Sequence, residues 1–270
     1  MKKEAIMKYM FLITIFTASL FGAMFKSPLI SVYKQSATIN IEKIDVGMSG
    51  YIVREFNDKH STILQFAVVE SFDDISKIAV LKLNKIETFS NNNLPKGLWK
   101  PKVGDIAVFA SGYKRALLLA PTEEIYYRIT KSVTSLQWMH PDIFATLLSY
   151  EGHPTPLKKD FDIFVDNLEV GLIYIFLNQK LYTLDSSSFA ILSIIDAPLV
   201  QENDDIKLPF YSRVEKISAN WFGAGSSRLK EYEPYYYKLL AKHNSNNKAF
   251  YEIVKELKLI EILNEFKIKD

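Results

Sequence analysis

Cysteine is absent from all 270 residues. That absence excludes structural disulfides, thiolate zinc sites and cysteine nucleophiles together, and with them the lipobox cysteine that carries a bacterial lipoprotein's diacylglyceryl anchor. A charge excess is missing too: 33 Lys and Arg stand against 31 Asp and Glu, a net charge of +2, and the basic residues are scattered along the chain. Such a balance calls for neither nucleic acid nor an anionic membrane as partner.

Catalytic patterns are equally scarce. His60, His140, His153 and His243 fall at loop-like positions without HxH or HExxH spacing, so no metal site is expected. Gly47-Met48-Ser49-Gly50 departs from a GxSxG nucleophile elbow because its second glycine directly follows the serine, and it reads as a turn entering a strand. Gly223-Ala224-Gly225-Ser226-Ser227 could cradle a phosphate through backbone amides, but it lacks the lysine of a P-loop and reads as a flexible surface loop. Asp73-Asp74 and Asp204-Asp205 are neighbouring carboxylates in turns, explained by solvation rather than by acid–base chemistry. With no cofactor, metal or catalytic constellation expected, the chain reads as a non-enzymatic binding protein.

What is present begins with an export pattern. Lys2, Lys3 and Lys8 precede an uncharged run from Tyr9 to Phe25, closed by Lys26 and the pair Ser27-Pro28. Charge followed by an apolar stretch is the order of a secretion signal, and residues 1–26 are expected to be a signal peptide or, left uncleaved, an N-terminal anchor. With 48% hydrophobic and 24% charged residues, the remainder is expected to fold as one or two compact units.

Alternating apolar and polar positions predict strands at Ser49–Phe56, Thr62–Phe72, Lys77–Ile86, Ile106–Ser111 and Arg115–Ala120, with a loop spanning Asn91-Asn92-Asn93 and Pro95 to Pro101. This spacing predicts a small antiparallel β-barrel-like part over residues 27–121. The pattern then changes. Helices are expected at 122–134, 142–150 and 156–168, and strands at Gly171–Asn178, Lys180–Asp185, Phe189–Ile195 and Ser212–Ile217, which makes residues 122–242 a mixed helix and β-hairpin part. Leu172 to Leu192 resembles one propeller blade without a second copy, and is expected to be an isolated hairpin. Tyr232 to Ala241 predicts a short aromatic helix. After a loop at His243–Asn247, the stripe Phe250, Ile253, Val254, Leu257, Ile260, Leu263 and Phe266 predicts one amphipathic helix of about five turns. The fold class expected is α+β.

Four ordered segments carry a resemblance: VGMSGYIVREF (Val46–Phe56), KVGDIAVFASGYKRALLLAPTEEIYYRI (Lys102–Ile129), VGLIYIFLNQKLYTLDSSSFAIL (Val170–Leu192) and PFYSRVEKI (Pro209–Ile217). Together they resemble the N-terminal domain of the PgbA-type plasminogen-binding proteins of Helicobacter- and Campylobacter-like bacteria, over roughly residues 38–242. Gly47, Gly50, Gly104, Asp105, Pro121, Gly171, Tyr174, Pro209 and Arg213 are the motif positions, expected to be structural.

The resemblance implies binding of host plasminogen through lysines held in the lysine pockets of its kringle domains. Such a pocket pairs an ammonium with carboxylates while the methylene stem lies on aromatic rings. The chain departs from the family at its end: it closes Phe266-Lys267-Ile268-Lys269-Asp270 and lacks the long Lys/Glu-rich tail the resemblance implies. Lys267 and Lys269, or else internal lysines, are the candidate plasminogen-binding residues. The other expected role is a scaffold or assembly factor that docks an envelope protein in the periplasm. Under either role the protein is expected in the periplasm or at the cell surface.

Overall fold

The computed structural model describes residues 24–85, 99–200 and 206–266. The apolar run up to residue 23, Asn91-Asn92-Asn93, Asp204-Asp205 and Lys267 and Lys269 lie outside the described residues. Contacts separate two compact units, one ending at Ser111 and one beginning at Gly112.

The first unit is a closed antiparallel barrel. Its strands are β1 (Phe25–Tyr33), β2 (Ser36–Asn40), β3 (Ser49–Asn57), β4 (His60–Asp73), β5 (Ile78–Asn84) and β6 (Ile106–Phe109), ordered β1-β2-β5-β4-β3-β6. The expected barrel is thus present, but two of its strands were not anticipated. In β1 the inward positions are Ser27 and Leu29, and Pro28 stands in the strand opposite Ile106, so the Ser27-Pro28 pair that closes the apolar run is barrel wall. Ser27 conceals the alternation because it is a small polar residue facing inward, where its hydroxyl donates to the Asn40 carbonyl at 2.8 Å. The interior is filled by small and medium side chains, among them Leu29, Ile39, Ile52, Ala67, Val69, Leu81, Ala107 and Phe109, all nearly inaccessible. A barrel of few strands leaves room for little else.

Arg115–Leu119, within the stretch expected as a strand of the barrel-like part, instead opens the second unit as β7. Its Ala116–Leu119 side chains are all buried, the signature of a strand covered on both faces. Here β7 pairs in parallel with β8 (Gln137–Met139) and β9 (Leu172–Leu177), and β9 continues antiparallel through β10 (Lys180–Asp185) to β11 (Ile191–Asp196). The hairpin expected to stand alone is therefore the middle of a five-stranded sheet in the order β11-β10-β9-β7-β8. Ser212–Ile217 is not a strand. The Tyr211 and Arg213 amides donate to the Ala120 carbonyl and the Asp142 carboxylate, so no β-ladder forms there.

Helices α1 (Glu123–Ser132), α2 (Pro141–Glu151) and α3 (Lys158–Leu168) fall close to the expected positions. Thr122 caps α1 by accepting the Ile125 amide at 3.2 Å, and Gly152 ends α2 in the left-handed conformation at φ 71°. Phe144 of α2 lies 4.7 Å from Phe161, 5.1 Å from Phe164 and 5.5 Å from Phe210, a cluster of rings packed with Ile173, Ile175 and Leu177 of β9 in one core. Helix α4 (Tyr232–His243) adds Tyr236 and Tyr237 to this core, both fully buried.

The single C-terminal helix expected from the apolar stripe is two helices, α5 (Lys248–Glu256) and α6 (Ile260–Phe266). Lys258 takes φ 58° and the Leu259 amide bonds back to the Val254 carbonyl at 3.0 Å, which closes α5 with a reverse turn. The break changes the buried face: Ile262, off the predicted stripe, is buried, whereas Leu257, on it, is exposed. Among the described residues no helix is long and apolar enough to cross a membrane.

Candidate functional site

In the barrel, the motif glycines serve geometry. Gly47 turns the chain at φ 91° ahead of β3, and its amide donates to the Val69 carbonyl at 2.8 Å. Gly50 faces Phe109 across the β3–β6 pair, where a Cβ would stand 2.3 Å from the Val108 carbonyl oxygen. Gly104, at φ 91°, donates to the Leu29 carbonyl and delivers Asp105 into the wall. There Arg54 grips the carboxylate with two bonds, Nε to Oδ1 and Nη2 to Oδ2, both 2.8 Å, and the Lys102 amide adds a third at 2.7 Å. Burial pushes the Asp105 carboxyl up, but the Arg54 and Lys102 bonds outweigh it and hold the group below the usual carboxylate range. Asp105 is thus a brace between β3 and the segment entering β6.

In the second unit the motif segments meet around a tyrosine cluster. Pro121 is buried and accepts the Lys207 amide, Pro209 follows a cis peptide and accepts the Tyr236 hydroxyl at 2.9 Å, and between these ties the chain sets Tyr211 against α1. The Tyr211 hydroxyl donates to Glu123 at 3.0 Å, and its ring lies 5.5 Å from Tyr126 and 6.3 Å from Tyr127. Burial raises both Tyr211 and Tyr126, the latter to about 12, with the neighbouring acidic and phenolic groups acting in the same direction. Arg213 bonds Asp142 through both its amide and Nε, at 2.8 and 2.6 Å. Burial lifts the Asp142 carboxyl, yet these bonds and His140 hold it below its ordinary value. The Asp142 amide donates to His140 Nδ1 at 3.2 Å, and His140 Nε2 is a buried atom with no hydrogen-bond partner among the described residues.

Gly171 and Tyr174 hold β9. A Cβ on Gly171 would stand 2.3 Å from the Gly112 carbonyl carbon, because the two chains cross backbone to backbone, and Tyr174 packs edge-on to Trp138 at 5.2 Å with its hydroxyl pushed up to about 12 by burial.

Two further features were not legible in the sequence. His153 is buried and its Nδ1 lies 2.7 Å from Asp160 Oδ1, while Asp160 Oδ2 takes the Leu157 amide. The nearby hydroxyls of Thr155 and Tyr235 donate to the Ser227 and Pro156 carbonyls, so this pair braces the start of α3 rather than activating a nucleophile. The one local hint was Asp160 in the first turn of a helix, where a carboxylate meets free amides. Trp221 and Phe222 are the second feature, adjacent aromatics that are 92% and 86% exposed. Among the described residues no three His, Asp or Glu side chains lie close enough to hold a metal ion.

The geometry is therefore that of braced walls and exposed surfaces. Residues 24–240 match the model of a family described as "Plasminogen-binding protein pgbA N-terminal". Two curated relatives named Plasminogen-binding protein PgbA, from Helicobacter pylori strains J99 and 26695, are 28% and 27% identical over 204 residues. In each case the alignment covers 74% of this chain and 43% of the relative, so the chain spans less than half the length of the curated relatives it matches. No solved structure matches the chain.

Proposed function

The chain belongs to the family of the plasminogen-binding protein pgbA N-terminal domain, and from that premise we propose that it is an exported, non-enzymatic binding protein that captures plasminogen through lysine side chains. The observation that carries the reading is the family match, which runs through both compact units. Lys267 and Lys269 are the lysines assigned to the contact, with internal lysines as the alternative. The ammonium would meet the pocket's carboxylates while the four-carbon stem lies on its aromatic rings.

The test is surface plasmon resonance of the full chain over immobilised plasminogen, with and without 6-aminohexanoate and beside a Lys267→Ala/Lys269→Ala variant. Binding with a Kd of about 1 μM or tighter, abolished by the lysine analogue and lost in the variant, is expected. Binding that the analogue leaves untouched would end the lysine mechanism. Binding that survives in the variant but yields to the analogue would move the contact to internal lysines.

Export is supported by Lys2, Lys3 and Lys8 ahead of the apolar run. Fractionation of expressing bacteria is expected to find the protein in the envelope and periplasmic fractions, and its recovery with cytoplasmic markers would refute export.

A further inference from the structure

Residues 217–227, Ile-Ser-Ala-Asn-Trp-Phe-Gly-Ala-Gly-Ser-Ser, carry no charge and are closed by Lys216 on one side and by Arg228 and Lys230 on the other. Both ends of this segment are tied to the second unit. Upstream, the Asn220 amide donates to the Gly152 carbonyl at 2.9 Å, its side-chain amide to the Glu151 carbonyl at 2.7 Å, and the Ser218 amide to Ser149 Oγ at 3.0 Å. Downstream, the Gly225 and Ser227 carbonyls accept the amide and the hydroxyl of Thr155, at 3.2 and 2.6 Å. Arg228 Nη2 closes the base on the Ile217 carbonyl at 3.0 Å.

Trp221 and Phe222 stand between these ties, almost wholly in solvent, and Tyr150, beside the Glu151–Gly152 anchor, is 86% exposed. The ties upstream and downstream prevent the loop from turning the two rings into the core. Single exposed apolar residues are ordinary on protein surfaces, but two large neighbouring rings held outward by a fixed loop mark a contact surface.

We propose that this tip enters the interfacial layer of an anionic lipid bilayer. Indole and phenol rings settle at the level of the head groups, where an apolar body and a polar edge are both satisfied. The remaining tip residues are small and uncharged and cost little to desolvate, and the tip closes on itself through the Ser226 amide and hydroxyl, both donating to the Gly223 carbonyl. Exposed Lys216, Arg228 and Lys230 flank the tip in sequence and outnumber the exposed Glu215 and Glu231 beside them, a collar of net positive charge for anionic head groups. The near-zero net charge of the whole chain conceals this local collar. The inference does not depend on plasminogen as partner.

Because the chain has no cysteine, Ala224→Cys creates a single site for the polarity-sensitive fluorophore NBD in the full-length protein. The label reports the surroundings of the tip itself, even where the N-terminal run tethers the protein to vesicles. Vesicles of phosphatidylcholine and phosphatidylglycerol in equal parts are expected to shift its emission to the blue, and Trp221→Ser/Phe222→Ser, at two exposed positions that leave the core intact, to abolish the shift. An unchanged emission with these vesicles overturns the proposal, as does a shift produced by plasminogen and not by lipid. An equal shift on phosphatidylcholine alone overturns the role of the basic collar.

Discussion

Replacement of Gly171 by alanine is expected to unfold the second unit, or to destabilise it by at least about 4 kcal/mol, a size reached only when something in the core must break. The added Cβ would lie 2.3 Å from the Gly112 carbonyl carbon and 2.5 Å from both the Gly112 oxygen and the Tyr113 nitrogen. All three atoms are backbone, so no side chain can rotate away, and the Gly171 amide already donates to the Gly112 and Arg115 carbonyls at 3.1 and 3.2 Å. Relief would require moving the start of β9 away from β7, at the centre of the sheet. Near-ultraviolet circular dichroism during thermal unfolding reads the outcome, because the unit's buried tyrosines report its packing. Gly104→Ala is the control: nothing lies within 4 Å of its Cβ, and only the positive φ is penalised, by about 1–2 kcal/mol. Similar losses in the two variants would show that the backbone crossing is not what Gly171 serves.

Removal of the Asp105 carboxylate is expected to have the largest effect among polar changes in the barrel, lowering its midpoint on the order of 10 °C. Arg54 would keep its place near the wall without its partner, and a charge left half-buried and unpaired costs more than the pair was worth. The pH dependence gives the direction. Asp105 has a folded-state value below its unfolded one, so its contribution is fully present above about pH 4 and fades as pH falls through the lowered folded value. Thermal midpoints of the wild type and Asp105→Asn should therefore differ most near neutrality and converge in acid. A gap that persists undiminished well below pH 3 would mean that shape, not charge, holds the segment.

Such braces explain where sequence reading succeeded and where it stopped. Gly50, Gly104, Asp105, Gly171 and Pro209 stood out within four short segments, but their roles depend on what lies across from them: Phe109 for Gly50, Arg54 for Asp105, Gly112 for Gly171 and Tyr236 for Pro209. Each of these partners is far away along the chain. The tyrosine cluster was illegible for the same reason, since Tyr126, Tyr211 and Asp142 come from three segments joined only by folding. Trp221 and Phe222 could be read as letters, yet their exposure could not, because two adjacent aromatics more often point to a core than to solvent.

The sequence by itself determined the exclusion of cysteine chemistry, the α+β class, the position of most strands and helices and the family. These depend on composition and on local periodicity, which a linear reading contains. Only the tertiary structure decided that β1 and β2 complete the barrel, that β7 leaves it for a parallel place beside β9, and that the C-terminal stripe breaks at Lys258. Alternation shows that a strand has a buried side but not which strand will lie next to it. That choice is made by hydrogen bonds and packing between residues distant in the chain.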